Sequence, residues 1–166
     1  MPKPRSAAKG KKPARPSGPA KSEIEIVRDA ADAMYRAAAE CCHQHDRVSR
    51  VHGKSDVTAE LEAAVEACDH CDEVLGKLSV AYEQAAANAH PTGKDEGWWH
   101  RANALWLASR EYLRRHSFNE RASRDFKSHD SDQLEQLHTE FELEASALLG
   151  LRHAAEAYKK DRPTAA

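Results

Sequence analysis

From Ser22 onward, apolar residues recur at alternating intervals of three and four, the spacing of amphipathic helices with one buried seam. The first run carries Val27, Ala31, Met34, Ala38, Cys41, His45 and Val48. The second carries Val57, Leu61, Ala64, Cys68, Cys71, Leu75, Leu78, Tyr82, Ala85 and Ala89. A third, broader stripe runs Trp98, Trp99, Ala102, Leu105, Trp106, Ser109, Tyr112, Leu113 and His116, then through Asn119 and Ser123 to Phe126. The fourth reads Leu134, Leu137, Phe141, Glu144, Leu148, Leu151, Ala155 and Tyr158. Between the runs stand breakers and caps: Gly53 before Ser55 or Asp56, Pro91 and Gly93 before Asp95, Asp130 with Gln133 as a capping box, and Pro163 at the end. The pattern predicts helices over about 23–52, 56–89, 96–127 and 131–160, with no strand pattern and no repeat.

Four long helices with short connections imply an all-α, antiparallel (up-down-up-down) four-helix bundle of two long helical hairpins, spanning residues 22–162. Register supports this. Val27 falls opposite Tyr82, Cys41 opposite Cys68 and Val48 opposite Leu61; Ala102 falls opposite Tyr158, His116 opposite Glu144 and Phe126 opposite Leu134. In each hairpin one number rises by three or four as its partner falls by the same amount. Both hairpins thus keep a single register along their length.

The polar seam positions carry the candidate chemistry. Cys41, Cys68, His116 and Glu144 all lie thirteen to fifteen residues from turns near 54 and 129, one layer to within a helical turn of ~5 Å. Two thiolates, an imidazole and a carboxylate form a tetrahedral donor set acceptable to Zn, and thiolates also suit Cu(I). The predicted metal ligands are therefore Cys41, Cys68, His116 and Glu144, with Cys71 and His45 one turn away as reserves. The competing reading is packing: buried Cys behaves as a small hydrophobe, and a His116–Glu144 pair can fix register while binding nothing. Cys68-x-x-Cys71 is followed by Asp72 instead of His, which excludes c-type haem attachment, and the Glu-x-x-His signature of di-iron bundles is missing. Residues 41–45 and 68–71 resemble the cysteine-rich copper-storage four-helix bundles, whose Cys residues spaced three or four apart fill the core. The resemblance implies copper held by core thiols. The departure is in number, four cysteines here against many more in that family.

Charge changes the picture at one end. The chain has 166 residues, 40% hydrophobic and 31% charged, with a net charge of −2, as expected of one soluble helix-rich domain. Residues 1–21 hold Lys3, Arg5, Lys9, Lys11, Lys12, Arg15 and Lys21 with no acid; the remaining 18 of 25 bases face all 27 acids. With five prolines, this segment predicts a disordered basic Lys/Pro/Ala-rich tail. Such a tail suits nonspecific nucleic acid, an acidic partner, the chain's own acidic body, or solubility alone. No secretory signal or membrane-length apolar run is evident, so the expected site is cytoplasmic, with reduced thiols and no membrane contact.

No phosphate-cradling loop, nucleophile elbow or triad is present, and no enzyme activity is expected. Trp98 and Trp99 open the third helix. One ring suits an anchor for a protein partner or second copy; the alternative is that they cap the bundle end over Tyr82 and Tyr158. The expected function is a non-enzymatic helical bundle acting as a binding or interaction protein. The alternatives are a Zn- or Cu-binding bundle and a nucleic-acid-associated protein.

Overall fold

The computed structural model describes residues 21–52, 58–126 and 131–162. These form α1 (Glu23–His52), α2 (Thr58–Ala86), a 3-10 turn (Gly93–Asp95), α3 (Glu96–Asp125) and α4 (Ser131–Asp161). Among the described residues there is no strand. α1 packs most extensively on α2, and α3 on α4. The hairpins join through α1 with α4 and α2 with α3, and α1 also approaches α3 across the bundle. This is the antiparallel four-helix bundle.

Local chemistry sets the helix ends. α1 opens on a capping box: the Glu25 N–H donates to Ser22 Oγ at 3.3 Å, and the Ser22 N–H donates to the Glu25 carboxylate at 2.7 Å. α2 ends at Ala86, three residues short of the predicted 89. Pro91 disfavours helical backbone at the residue before it, and the chain closes instead with an Ala89 N–H to Ala86 carbonyl bond of 3.2 Å. Gly93 follows at φ 57°, left-handed backbone that favours glycine. Asp95 occupies the N-cap position of α3 but makes no cap bond. Its carboxylate accepts from Trp98 Nε1 at 2.9 Å and from Arg28 at 3.2 Å. The connections 53–57 and 127–130, with the caps expected at Ser55, Asp56 and Asp130, lie outside the described residues.

Most of the core sits in the half of the bundle farther from those connections. It is built from residues such as Val27, Met34, Leu75, Leu105 and Leu151, each fully buried and each worth about 1.5–3 kcal/mol. Three buried tyrosines tie the helices together through their hydroxyls. Tyr82 donates to Asn103 at 2.7 Å, Tyr158 to Asp32 at 2.9 Å, and Tyr112 to Asp72 at 3.0 Å.

α2 meets α3 near flush, Asp72 at Tyr112 and Tyr82 at Asn103, while the α1–α3 diagonal is offset. Arg28–Asp95 and His45–Tyr112 both link α1 to α3 across 67 residues. That offset carries His52, the end of α1, to the level of Asn119, six residues or ~9 Å before α3 ends at Asp125. The α3–α4 hairpin therefore overhangs the end of α1. No residue of α4 between 131 and 150 is buried, and Leu134 and Phe141 are 58% and 49% exposed. The predicted seam reaches Leu134 in register, but its burial stops short.

Candidate functional site: a histidine–carboxylate–tyrosine network in the bundle

Four helices contribute side chains to one polar network. Asp72 on α2 is 7% exposed and lies at its centre. Both of its carboxylate oxygens lie 3.0 Å from the hydroxyl of Tyr112 on α3, which donates to them. His45 on α1 places Nε2 against that same hydroxyl and 3.8 Å from Asp72 Oδ2. Because the Tyr112 proton is committed to Asp72, the His45 Nε2–H is the donor to the phenol oxygen. His116 on α3 places Nε2 3.4 Å from Asp72 Oδ2, while its Nδ1 lies 2.7 Å from Glu144 Oε1 on α4. Asn119 donates from Nδ2 to Glu144 Oε2 and to the Glu140 carbonyl, the latter at 3.1 Å. The rings pack closely: His45 is edge-on to Tyr112 at 5.5 Å, and His116 stacks on Tyr112 at 6.0 Å.

The electrostatics follow from that geometry. The hydrogen bond to Glu144 raises the His116 pKa above 6.5; burial opposes this, and the Asp72 charge adds to it. Burial pushes the Glu144 carboxyl up, but hydrogen bonds from His116 and Asn119 outweigh it and hold it below 4.5. The charged form of His116 is thus favoured by its place between the Glu144 and Asp72 carboxylates. Burial, and then the Asp72 charge, raise Tyr112 far above the usual phenol range, so it stays a donor.

The predicted ligands fall into separate groups. His116 and Glu144 meet, as the α3–α4 register requires. Cys41 and Cys68 are buried, Cys71 is half-buried, and all are free thiols. Cys41 lies near Asp72, whose charge adds to burial in raising its pKa. Burial first and Asp72 second push Cys68 up to about 12, and the same two causes drive Cys41 higher still. Among the described residues, one trio of potential ligands has its donor atoms within 4.8 Å of one another: Asp69, His116 and Glu120, the two carboxylates exposed and the imidazole half-buried. Cys41, Cys68 and Glu144 are not part of it.

The centre of the network, Asp72, was not among the predicted ligands. Hydropathy hid it, yet it lies four residues after Cys68 and three before Leu75, on the same helical face. The buried line of α2 is Ala64, Cys68, Asp72, Leu75, Ser79 and Tyr82, with Cys71 and Leu78 rotated to its flank. Elsewhere, Trp98 is 3% exposed and belongs to the core, with Arg28 over its face and the half-buried Trp99 against its edge at 5.9 Å. Lys21 pairs with Asp29, whereas Lys3, Arg5, Lys9, Lys11, Lys12 and Arg15 lie outside the described residues. No helix among the described residues is long and apolar enough to cross a membrane. No family model matches the chain, and no curated protein or solved structure gives a significant match.

Proposed function

We propose that this protein is a non-enzymatic helical bundle that binds a divalent transition-metal ion within the bundle, through imidazole and carboxylate donors. The observation that carries this reading is the setting of His116. With its Nδ1 proton donated to Glu144, the Nε2 lone pair faces Asp72 Oδ2 across 3.4 Å. Two acceptors hold that distance only with a cation between them. In the metal-free protein a proton on His116, the form that the raised pKa favours, fills that place.

A metal ion would replace that proton. His116 Nε2 and Asp72 would be the primary ligands; His45 Nε2, 3.8 Å from the same carboxylate, would join them only by releasing Tyr112 and the proton it donates there. Glu144 would then orient the ligating His116 through its other nitrogen. Imidazole and carboxylate donors suit Zn and the neighbouring divalent first-row ions, with solvent completing the shell. The core thiols, held protonated by burial and Asp72, are the less ready donors, which places Cu(I) second.

The test is metal content and linked stability. Protein purified in reduced form should carry or take up one equivalent of Zn. Its thermal midpoint should exceed that of chelated protein, reflecting about 2.7 kcal/mol at a hundredfold excess over Kd. Matching midpoints with no metal bound refute the proposal.

A further inference from the structure

We infer that the overhanging tip of the α3–α4 hairpin is a docking surface for a second copy of this chain, in a two-fold arrangement that sets α3 of one protomer against α4 of the other. The stripe Leu134, Leu137, Phe141, Glu144, Leu148, Leu151, Ala155, Tyr158 is unbroken along α4. Only its last part is buried, at Leu151, Ala155 and Tyr158. Over 131–150 the same spacing continues with nothing buried, and residues 131–141 lie beyond the level of Asn119, where α1 ends. An open groove of about 220 Å³ at this tip is lined half by the apolar Phe118, Ala122, Phe126 and Leu137 and half by polar side chains, and Phe118, Leu134 and Phe141 are 41–58% exposed. A helical hairpin with one apolar face is half of a four-helix layer.

The occupant is argued from that geometry and from charge. A second copy's tip supplies two helices with the same seam spacing, the object the stripe lacks. Residues 131–145 of α4 carry Asp132, Glu135, Glu140, Glu142 and Glu144 and no Lys or Arg. Residues 115–125 of α3, level with that stretch, carry three arginines against two acids. Placing α4 against its own copy would oppose two acidic strips. Placing it against the partner's α3 opposes opposite charges and closes a self-complementary two-fold interface. This inference is tested apart from the metal reading, because the measurement is made in chelator.

Sedimentation equilibrium of the full chain, in chelator, tests it. Wild-type protein should dimerise, more weakly as salt rises. The double variant Leu134→Lys with Phe141→Lys should dimerise at least roughly tenfold more weakly. Both side chains are exposed, so its helical circular dichroism should match wild type. A wild-type chain that stays monomeric up to about 1 mM overturns the inference. So does a dimer indifferent to the double substitution. A dimer lost instead on replacing Lys9, Lys11 and Lys12 with Gln also overturns it, assigning the acidic tip to the basic N-terminal segment.

Discussion

His116 Nδ1 lies 2.7 Å from Glu144 Oε1, joining α3 to α4 at a point where each group shifts the other toward its charged form. The pair therefore makes stability depend on pH in a definite direction. His116, whose pKa is raised in the fold, contributes stability fully below its unfolded value near 6.5 and loses it as pH rises through the folded pKa. Glu144, whose pKa is lowered, contributes above its unfolded value near 4.5 and loses it as pH falls through the folded pKa. Urea denaturation of metal-free wild type and Glu144→Gln should differ most between pH 4.5 and 6.5, with the gap closing on both sides. A gap constant from acid to alkaline pH contradicts the assignment.

The bundle and the His116–Glu144 contact were legible in the sequence because seam spacing and register are properties of single hairpins. What one hairpin cannot encode is how it docks on the other. Counting from flush turns put Cys41, Cys68, His116 and Glu144 in one layer, yet no three of their donor atoms lie within 4.8 Å of one another. The side chains that join the hairpins are polar: the Arg28–Asp95 ion pair and the His45–Tyr112–Asp72 chain. A hydropathy pattern passes over such residues. Asp72 illustrates this, an acid on a buried face whose partners come from α1 and α3.

Removing a hydroxyl should cost more at Asp72 than at Asp32. Tyr112→Phe strips a buried carboxylate of its donor and should destabilise the metal-free bundle by about 1–3 kcal/mol. Tyr158→Phe leaves Asp32 half exposed and should cost about 0.5–1.5 kcal/mol. Chemical denaturation of both variants reads the order directly, and the reverse order would count against Asp72 as the centre of the network.

Asp72 also governs the thiols. Burial is the larger cause of the raised Cys68 pKa and Asp72 the next, so Asp72→Asn should lower it from about 12 without returning it to 9. Cys41 should move in the same direction. The rate of disulfide exchange with a small aromatic disulfide, followed against pH, should rise for these two thiols in the variant, after the half-buried Cys71 has reacted. An unchanged profile would mean that the carboxylate does not reach them.

The two halves of the bundle should respond unequally to truncation. Leu75→Ala empties a fully buried site and should cost about 2–5 kcal/mol. Leu134→Ala removes a side chain that is 58% exposed, and in dilute monomeric protein it should stay within about 0.5 kcal/mol of wild type. Comparable losses at both positions would contradict the overhang.

The most direct test of the central proposal is the visible spectrum of reduced protein titrated with Co2+ in place of Zn. Binding through His116 and Asp72 predicts d–d bands that saturate at one equivalent, with no thiolate-to-cobalt charge-transfer band. The spectrum should be lost in His116→Ala and retained in Cys68→Ala. A spectrum dominated by thiolate charge transfer and lost in Cys68→Ala, or the lack of any bound Co2+, would contradict it.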